Sequence, residues 1–146
     1  MKTRVFLGLG TNLGDRRQNI ENAVKLLDER LEMQHFAISG IYETKSWGFD
    51  GPDFMNAVVL YELESPDPFR LLSVCKNIEK EMGRTGSPQY DKEGRRIYSD
   101  RLIDIDILLV GDMKIDTPEL KVPHPLMEKR DFVMRPLKEL MENINN

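Results

Sequence analysis

The run Arg101-Leu102-Ile103-Asp104-Ile105-Asp106-Ile107-Leu108-Leu109-Val110 sets two carboxylates one residue apart in an otherwise apolar segment. As a strand it alternates its side chains, so Asp104 and Asp106 share one face while Ile103, Ile105, Ile107 and Leu109 fill the other. Their Cα atoms then lie ~7 Å apart, and at an effective dielectric of ~20 two charges ~6 Å apart repel by roughly 3 kcal/mol. An uncompensated pair raises one pKa or takes up a cation. Magnesium suits it, because this ion takes one or two protein carboxylates and leaves its other positions to water and phosphate oxygens. Spacing alone leaves a second reading open, a strand end whose two acids face solvent.

Holding such a pair in place requires a sheet, and the chain has the parts for one. Arg4 to Leu9 reads as a first strand, followed by a tight turn over Gly10-Thr11-Asn12-Leu13-Gly14. Asp15 is a natural N-cap for a helix whose Ile20, Ala23, Val24, Leu27 and Leu31 follow helical spacing. The glycines 8, 10 and 14 are spaced G-x-G-x-x-x-G, which is not the dinucleotide fingerprint. Second and third strands are expected at about His35 to Tyr42 and Asn56 to Glu62. Between them, Glu43 to Phe54 carries Trp47, Phe49 and Phe54 on a polar loop, aromatics that either stack on a flat ligand or fold back as a small cluster. Ser65-Pro66-Asp67-Pro68 opens a helix to about Met82, with Leu71, Leu72, Cys75, Ile78 and Met82 inward. Hydrophobic periodicity then stops from Gly83 to Asp100, a stretch with three glycines and three arginines that reads as a mobile lid. The acidic strand follows, then a Gly111-Asp112 turn, an edge segment at Lys114 to Ile115, and a helical tail near Arg135 to Met141. The β-α-β-β-α-β order predicts an α+β, ferredoxin-like domain: an antiparallel sheet with two helices on one face and a C-terminal extension.

Composition narrows the class. With 146 residues and 40% hydrophobic content the chain is read as one domain, 1–146, able to bury a core without disulfides. The single cysteine, Cys75, falls in a helical pattern and reads as a core thiol of a reducing compartment. No apolar run approaches the ~20 residues of a membrane span and no leader is evident, so a cytoplasmic protein without membrane contact is expected. The formal charge of -4 argues against a general nucleic-acid surface, and the strands lack the aromatic pattern of an RNA-recognition module. A small-molecule regulatory module would share the topology without catalysis, since fold does not decide function. It would leave the acidic pair, and the histidine and arginines after it, unexplained.

Those later residues complete a pattern. Gly10-Thr11-Asn12-Leu13-Gly14, Thr44 ahead of Pro52-Asp53-Phe54-Met55-Asn56-Ala57, Glu79 with Gly83-Arg84, Arg101-x-x-Asp104-x-Asp106, Val122-Pro123-His124 and Arg130-x-Phe132 occur in that order from about Val5 to Leu137. Together they resemble the bacterial 6-hydroxymethyl-7,8-dihydropterin pyrophosphokinases. The resemblance implies transfer of pyrophosphate from ATP to the hydroxymethyl group of a reduced pterin, with release of AMP, in folate biosynthesis. It implies two Mg2+ ions on Asp104 and Asp106, and catalytic roles for Arg84 and Arg101 beside these acids. Glu79, Arg84, Tyr98, Arg101, His124 and Arg130 would meet ATP, and Thr44, Phe54, Asn56, Asp104 and Phe132 the pterin. ATP and the pterin are the only partners it implies, and a monomer is expected. The chain departs from similar proteins at Tyr98, where tryptophan is common, at Lys45, where proline is frequent, and at Pro88 to Gly94, which resembles an insertion.

Overall fold

In a computed structural model of the chain, residues 2–44, 53–83, 103–125, 127 and 131–145 are described. The expected lid, apart from Gly83, and the tip of the aromatic loop, 45–52, lie outside these residues.

β1 (Lys2–Thr11) is the middle of the sheet because it is apolar on both faces over Val5 to Leu9. It pairs antiparallel with β4 (Phe54–Glu64) on one side and with β5 (Asp104–Val110) on the other. The short strands β2 (Ala37–Ile38) and β3 (Tyr42–Thr44) both pair with β4, giving the order β2-β4-β1-β5 with β3 beside β4. Helices α1 (Arg16–Arg30) and α2 (Pro68–Glu81) begin at aspartate caps: Asp15 accepts from Gln18 N at 3.1 Å, and Asp67 from Phe69 N at 3.0 Å. Their inner residues, among them Ile20, Leu27, Leu71 and Ile78, bury Val5, Leu7, Leu9, Ile103, Ile105 and Ile107 on one sheet face. This is the expected ferredoxin-like plan.

Four features differ from expectation. The second strand is broken at Ser39-Gly40-Ile41, because Ser39 Oγ accepts from Val58 N at 2.9 Å and a side chain thus replaces one rung of the backbone ladder. The acidic strand bulges: pairing shifts between Phe6 and Leu7, so Leu109 packs with Leu108 on the second face and Val110 takes the place expected of Leu109. The tail is a full helix, α3 (Asp131–Asn145), whose Val133, Leu137 and Leu140 cover Phe6, Val58, Leu60 and Leu108 on that second face. The expected edge segment forms a small ribbon instead, β6 (Ile115–Asp116) with β7 (Lys121–Val122). Among the described residues no helix is long and apolar enough to cross a membrane.

Candidate active site

The face opposite α1 and α2 has two halves. One lies under α3. The other is polar, and the strand register shows how it is assembled. Gly10 of β1 pairs with Asn56 of β4 and with Asp104 of β5, and Asn56 pairs in turn with Tyr42 of β3. Partners directly opposite each other point to the same face, so Tyr42, Asn56, Gly10 and Asp104 form one row. Gly8 pairs with Val58 and Asp106 in the next row, and Thr44 with Phe54 on the far side. Asp104 and Asp106 are both half-buried on this face, as their period-2 spacing predicts.

A side chain at Gly10 of β1 would crowd its neighbours. A Cβ on Gly10 would stand 3.1 Å from Asn56 Oδ1 and 3.7 Å from Phe54 Cδ1, so these two side chains close over bare backbone. Asn56 is 4% exposed and donates from Nδ2 to Thr44 Oγ1 at 2.8 Å, which fixes its amide with Oδ1 toward Gly10. Thr44, Phe54 and Asn56, separated by up to twelve positions in sequence, are thereby brought into one group.

The acidic strand is held from behind. Glu79 on the inner face of α2 is 3% exposed, and its Oε2 accepts from Ile105 N at 2.8 Å. Ile105 lies between the two aspartates on the edge of the sheet, so this buried carboxylate supports the residues that carry them. The resemblance grouped Glu79 with ATP; its position here is under the acidic strand. His124, after the cis Val122-Pro123 peptide, donates its backbone N–H to Leu108 O at 3.1 Å and so docks on the same strand. Burial pushes the neighbouring Cys75 thiol up to about 12, with Glu79 and Asp106 adding to the shift. Such a thiol is inert at neutral pH, as a core cysteine should be.

Residue 132 falls in the first turn of α3. Arg84, Tyr98, Arg101 and Arg130 lie outside the described residues.

Sequence reasoning passed over several positions that support the site. Asn19 donates to Thr11 Oγ1 at 3.1 Å and Leu13 O at 2.7 Å, which holds the turn after β1, where Gly14 has φ 64°. Arg16 donates to Glu43 Oε1 at 3.0 Å and to the Asp53 carbonyl at 2.7 Å, tying α1 to β3 and to the residue before β4. A signal existed for it: a cation in the first helical turn opposes the helix dipole and invites a tertiary reason. Glu139 of α3, on the edge of β3, gave none.

Residues 6–142 match the family described as 7,8-dihydro-6-hydroxymethylpterin-pyrophosphokinase. A 2-amino-4-hydroxy-6-hydroxymethyldihydropteridine pyrophosphokinase of Aquifex aeolicus is 47% identical over 141 residues, covering 96% of this chain and 81% of that protein. The protein of the same name from Porphyromonas gingivalis is 43% identical over 138 residues, 93% of this chain and 89% of the relative. That of Bacillus subtilis is 37% identical over 145 residues, 99% and 81%. Similarity of this extent takes in β1, the Asn56 strand, the acidic pair and α3 together, and the chain belongs to the 7,8-dihydro-6-hydroxymethylpterin-pyrophosphokinase family.

Proposed function

We infer that the polar half of the second sheet face is where this chain transfers pyrophosphate from ATP to 6-hydroxymethyl-7,8-dihydropterin. The chain is an ATP-dependent pyrophosphokinase of folate biosynthesis. The observation that carries the assignment of the site is the row Asn56, Gly10, Asp104, which sets an amide and a carboxylate on either side of a backbone without side chains. Neighbouring strands are ~4.8 Å apart, so Asn56 and Asp104 face each other across roughly 10 Å. That span suits a flat bicyclic ring with a polar edge at one end and a reactive substituent at the other.

In this reading Asn56 reads the hydrogen-bonding edge of the pterin, Thr44 holds the Asn56 amide and contacts the ring, and Phe54 and Phe132 stack on it. Asp104 stands at the hydroxymethyl end, since it shares the row of Asn56, and Asp106 stands one row further along, on the ATP side. The hydroxyl oxygen bonds to the β-phosphorus as the bond from that phosphorus to the bridging α-β oxygen breaks, and AMP departs. No covalent nucleophile is needed, only in-line placement and charge neutralisation. His124 and, by sequence position, Arg84, Tyr98, Arg101 and Arg130 serve the triphosphate, the arginines as forks that match phosphate oxygens.

The donor set fits magnesium: two hard carboxylates from alternate positions of one strand, with the open face left for water and phosphate oxygens. Asp104 and Asp106 would hold two such ions, which when bound neutralise the phosphates and polarise the reacting oxygens. A single-domain cytoplasmic monomer that acts on two small molecules, without nucleic acid or membrane, completes the proposal.

Asp104→Asn and Asp106→Asn test it, with AMP formation from ATP measured against pterin and magnesium. Each variant should keep the wild-type melting temperature and lose most turnover. Wild-type rates in either at saturating magnesium would remove that residue from the metal site.

A further inference from the structure

The break in the second strand frees backbone groups that α3 takes up. Gly40 N–H is turned from β4 and donates to Glu139 Oε2 at 2.6 Å, while Tyr42 OH donates to Glu139 Oε1 at 2.5 Å. One carboxylate, half-buried, thus bridges a backbone donor in the break before β3 and a side-chain donor on β3. The Arg135 guanidinium, one helical turn before Glu139, stands 5.2 Å from the centroid of the Tyr42 ring. A Cβ at Gly40 would come within 3.3 Å of Glu139 Oε1, so the glycine makes room for the bridge. The hydrogen bond to Glu139 also raises the Tyr42 pKa above its ordinary value.

What this bridge fixes is the strand that carries Thr44. β3 has three residues and, among the described residues, pairs only with β4, through Tyr42 to Asn56, Glu43 to Met55 and Thr44 to Phe54. Two-residue and three-residue edge strands hold their place poorly by ladder bonds alone. Thr44 Oγ1 is the acceptor that orients Asn56, so slack in β3 passes directly to the Asn56 amide. The opposite end of the bridge is α3, whose first turn includes residue 132.

We propose that Glu139 is a positioning residue for the pterin side of the reaction: by holding Gly40 and Tyr42 it fixes β3, and through Thr44 the Asn56 amide, relative to α3. This rests on the pterin being read by Asn56. Glu139 touches no reacting atom in the arrangement. Its loss therefore falls on pterin recognition and spares ATP.

The test is steady-state kinetics with each substrate varied in turn, for Glu139→Ala, Glu139→Gln, Tyr42→Phe, the double variant Tyr42→Phe with Glu139→Ala, and Asn56→Ala. Glu139→Ala should raise KM for the pterin about tenfold, the scale of a lost charge-assisted hydrogen bond, with KM for ATP within twofold. Glu139→Gln, which keeps one acceptor oxygen for two donors, should fall between it and the wild type. Tyr42→Phe removes one hydroxyl from the same bridge, so the double variant should be no worse than Glu139→Ala alone. Equal rises in both KM values, or a lowered melting temperature with KM unchanged, would reduce Glu139 to a structural contact and overturn the proposal. If Glu139→Ala does not fold, Tyr42→Phe decides by the same split. Asn56→Ala separates the two inferences: an unchanged pterin KM there refutes the pterin site itself, whereas a raised one beside an unaffected Glu139→Ala refutes only the bridge.

Discussion

Removing the Glu79 carboxylate should loosen the acidic strand from behind, and the size of the effect follows from what that carboxylate does. Glu79→Ala leaves the Ile105 N–H, now bonded at 2.8 Å, facing a cavity. An unsatisfied buried donor costs ~1–3 kcal/mol, toward the upper end when the lost acceptor was charged. The ion pair with Lys76 adds little, since its N–O separation is 3.9 Å and the lysine is 64% exposed. Relief of the desolvated charge offsets part of the loss, leaving a net destabilisation of ~2 kcal/mol. For a chain near 150 residues each kcal/mol moves the melting temperature by ~2–4 °C, so a drop of ~4–8 °C is expected. Glu79→Gln, with one neutral acceptor, should lose about half of that. Because Ile105 lies between Asp104 and Asp106, the same loss should displace the carboxylates, and a ~1 Å error of placement can cost ~100-fold in rate. Thermal denaturation, together with AMP formation as a function of magnesium, reads both effects. An Ala variant with the wild-type melting temperature and magnesium dependence would show that this hydrogen bond does not hold β5. A rise confined to KM for ATP would favour the nucleotide contact that the resemblance implies for Glu79.

Gly10→Ala should fold, but its Cβ at 3.1 Å from Asn56 Oδ1 forces the amide off its bond to Thr44, so KM for the pterin should rise about tenfold with KM for ATP unchanged; equal effects on both substrates would place the damage elsewhere. Arg16→Ala removes the tie between β3 and Asp53, and because the contact is partly exposed the melting temperature should fall by only ~1–3 °C; a larger fall, read by calorimetry, would mean that Arg16 supports the core. Cys75 links stability to alkaline pH: its thiol is raised from 9.0 to about 12 in the folded state, so its contribution is whole below about pH 9 and is lost toward about pH 12, at up to ~1.4 kcal/mol per pH unit. Cys75→Ala should flatten that part of the curve, and identical slopes in denaturant titrations of the two proteins would exclude it.

Regular local signals carried α1, α2 and the acidic pair from sequence to structure. Asp15 and Asp67 cap where their type predicts, the inward residues of both helices follow from spacing, and Asp104 and Asp106 share a face because a strand has period two. What failed to show were substitutions of one kind of bond for another. Ser39 replaces a ladder partner with its hydroxyl, which no pattern of apolar residues announces. The bulge at Leu108 exchanges Leu109 for Val110, and two aliphatic neighbours look alike to a hydrophobicity pattern. The helical tail expected near Arg135 to Met141 extends to Asp131–Asn145, with Pro136 inside the helix, where proline is ordinarily a breaker. Thr44, Phe54 and Asn56 came from resemblance; their grouping depends on β3 and β4 lying side by side, a long-range fact outside any local window.

The two glycines of β1 also bear on where the proposed site lies. Phe6 points to the second face and gives α3 an apolar row to cover, together with Val58, Leu60 and Leu108. Two residues later Gly8 and Gly10 continue that face with no side chain, so β1 itself offers a helix no further apolar surface there. Asp104 and Asp106 stand beside them in register, and burial under a continued helix would desolvate both carboxylates at several kcal/mol each. Among the described residues the apolar cover therefore gives way beyond Val58 and Leu108, which flank Gly8, and the part of the face that carries the acids is polar. A single strand, read from Phe6 to Gly10, sets both the seat of α3 and the floor of the site, which is why a substitution as small as one methyl group at Gly10 is expected to act on recognition before it acts on the fold.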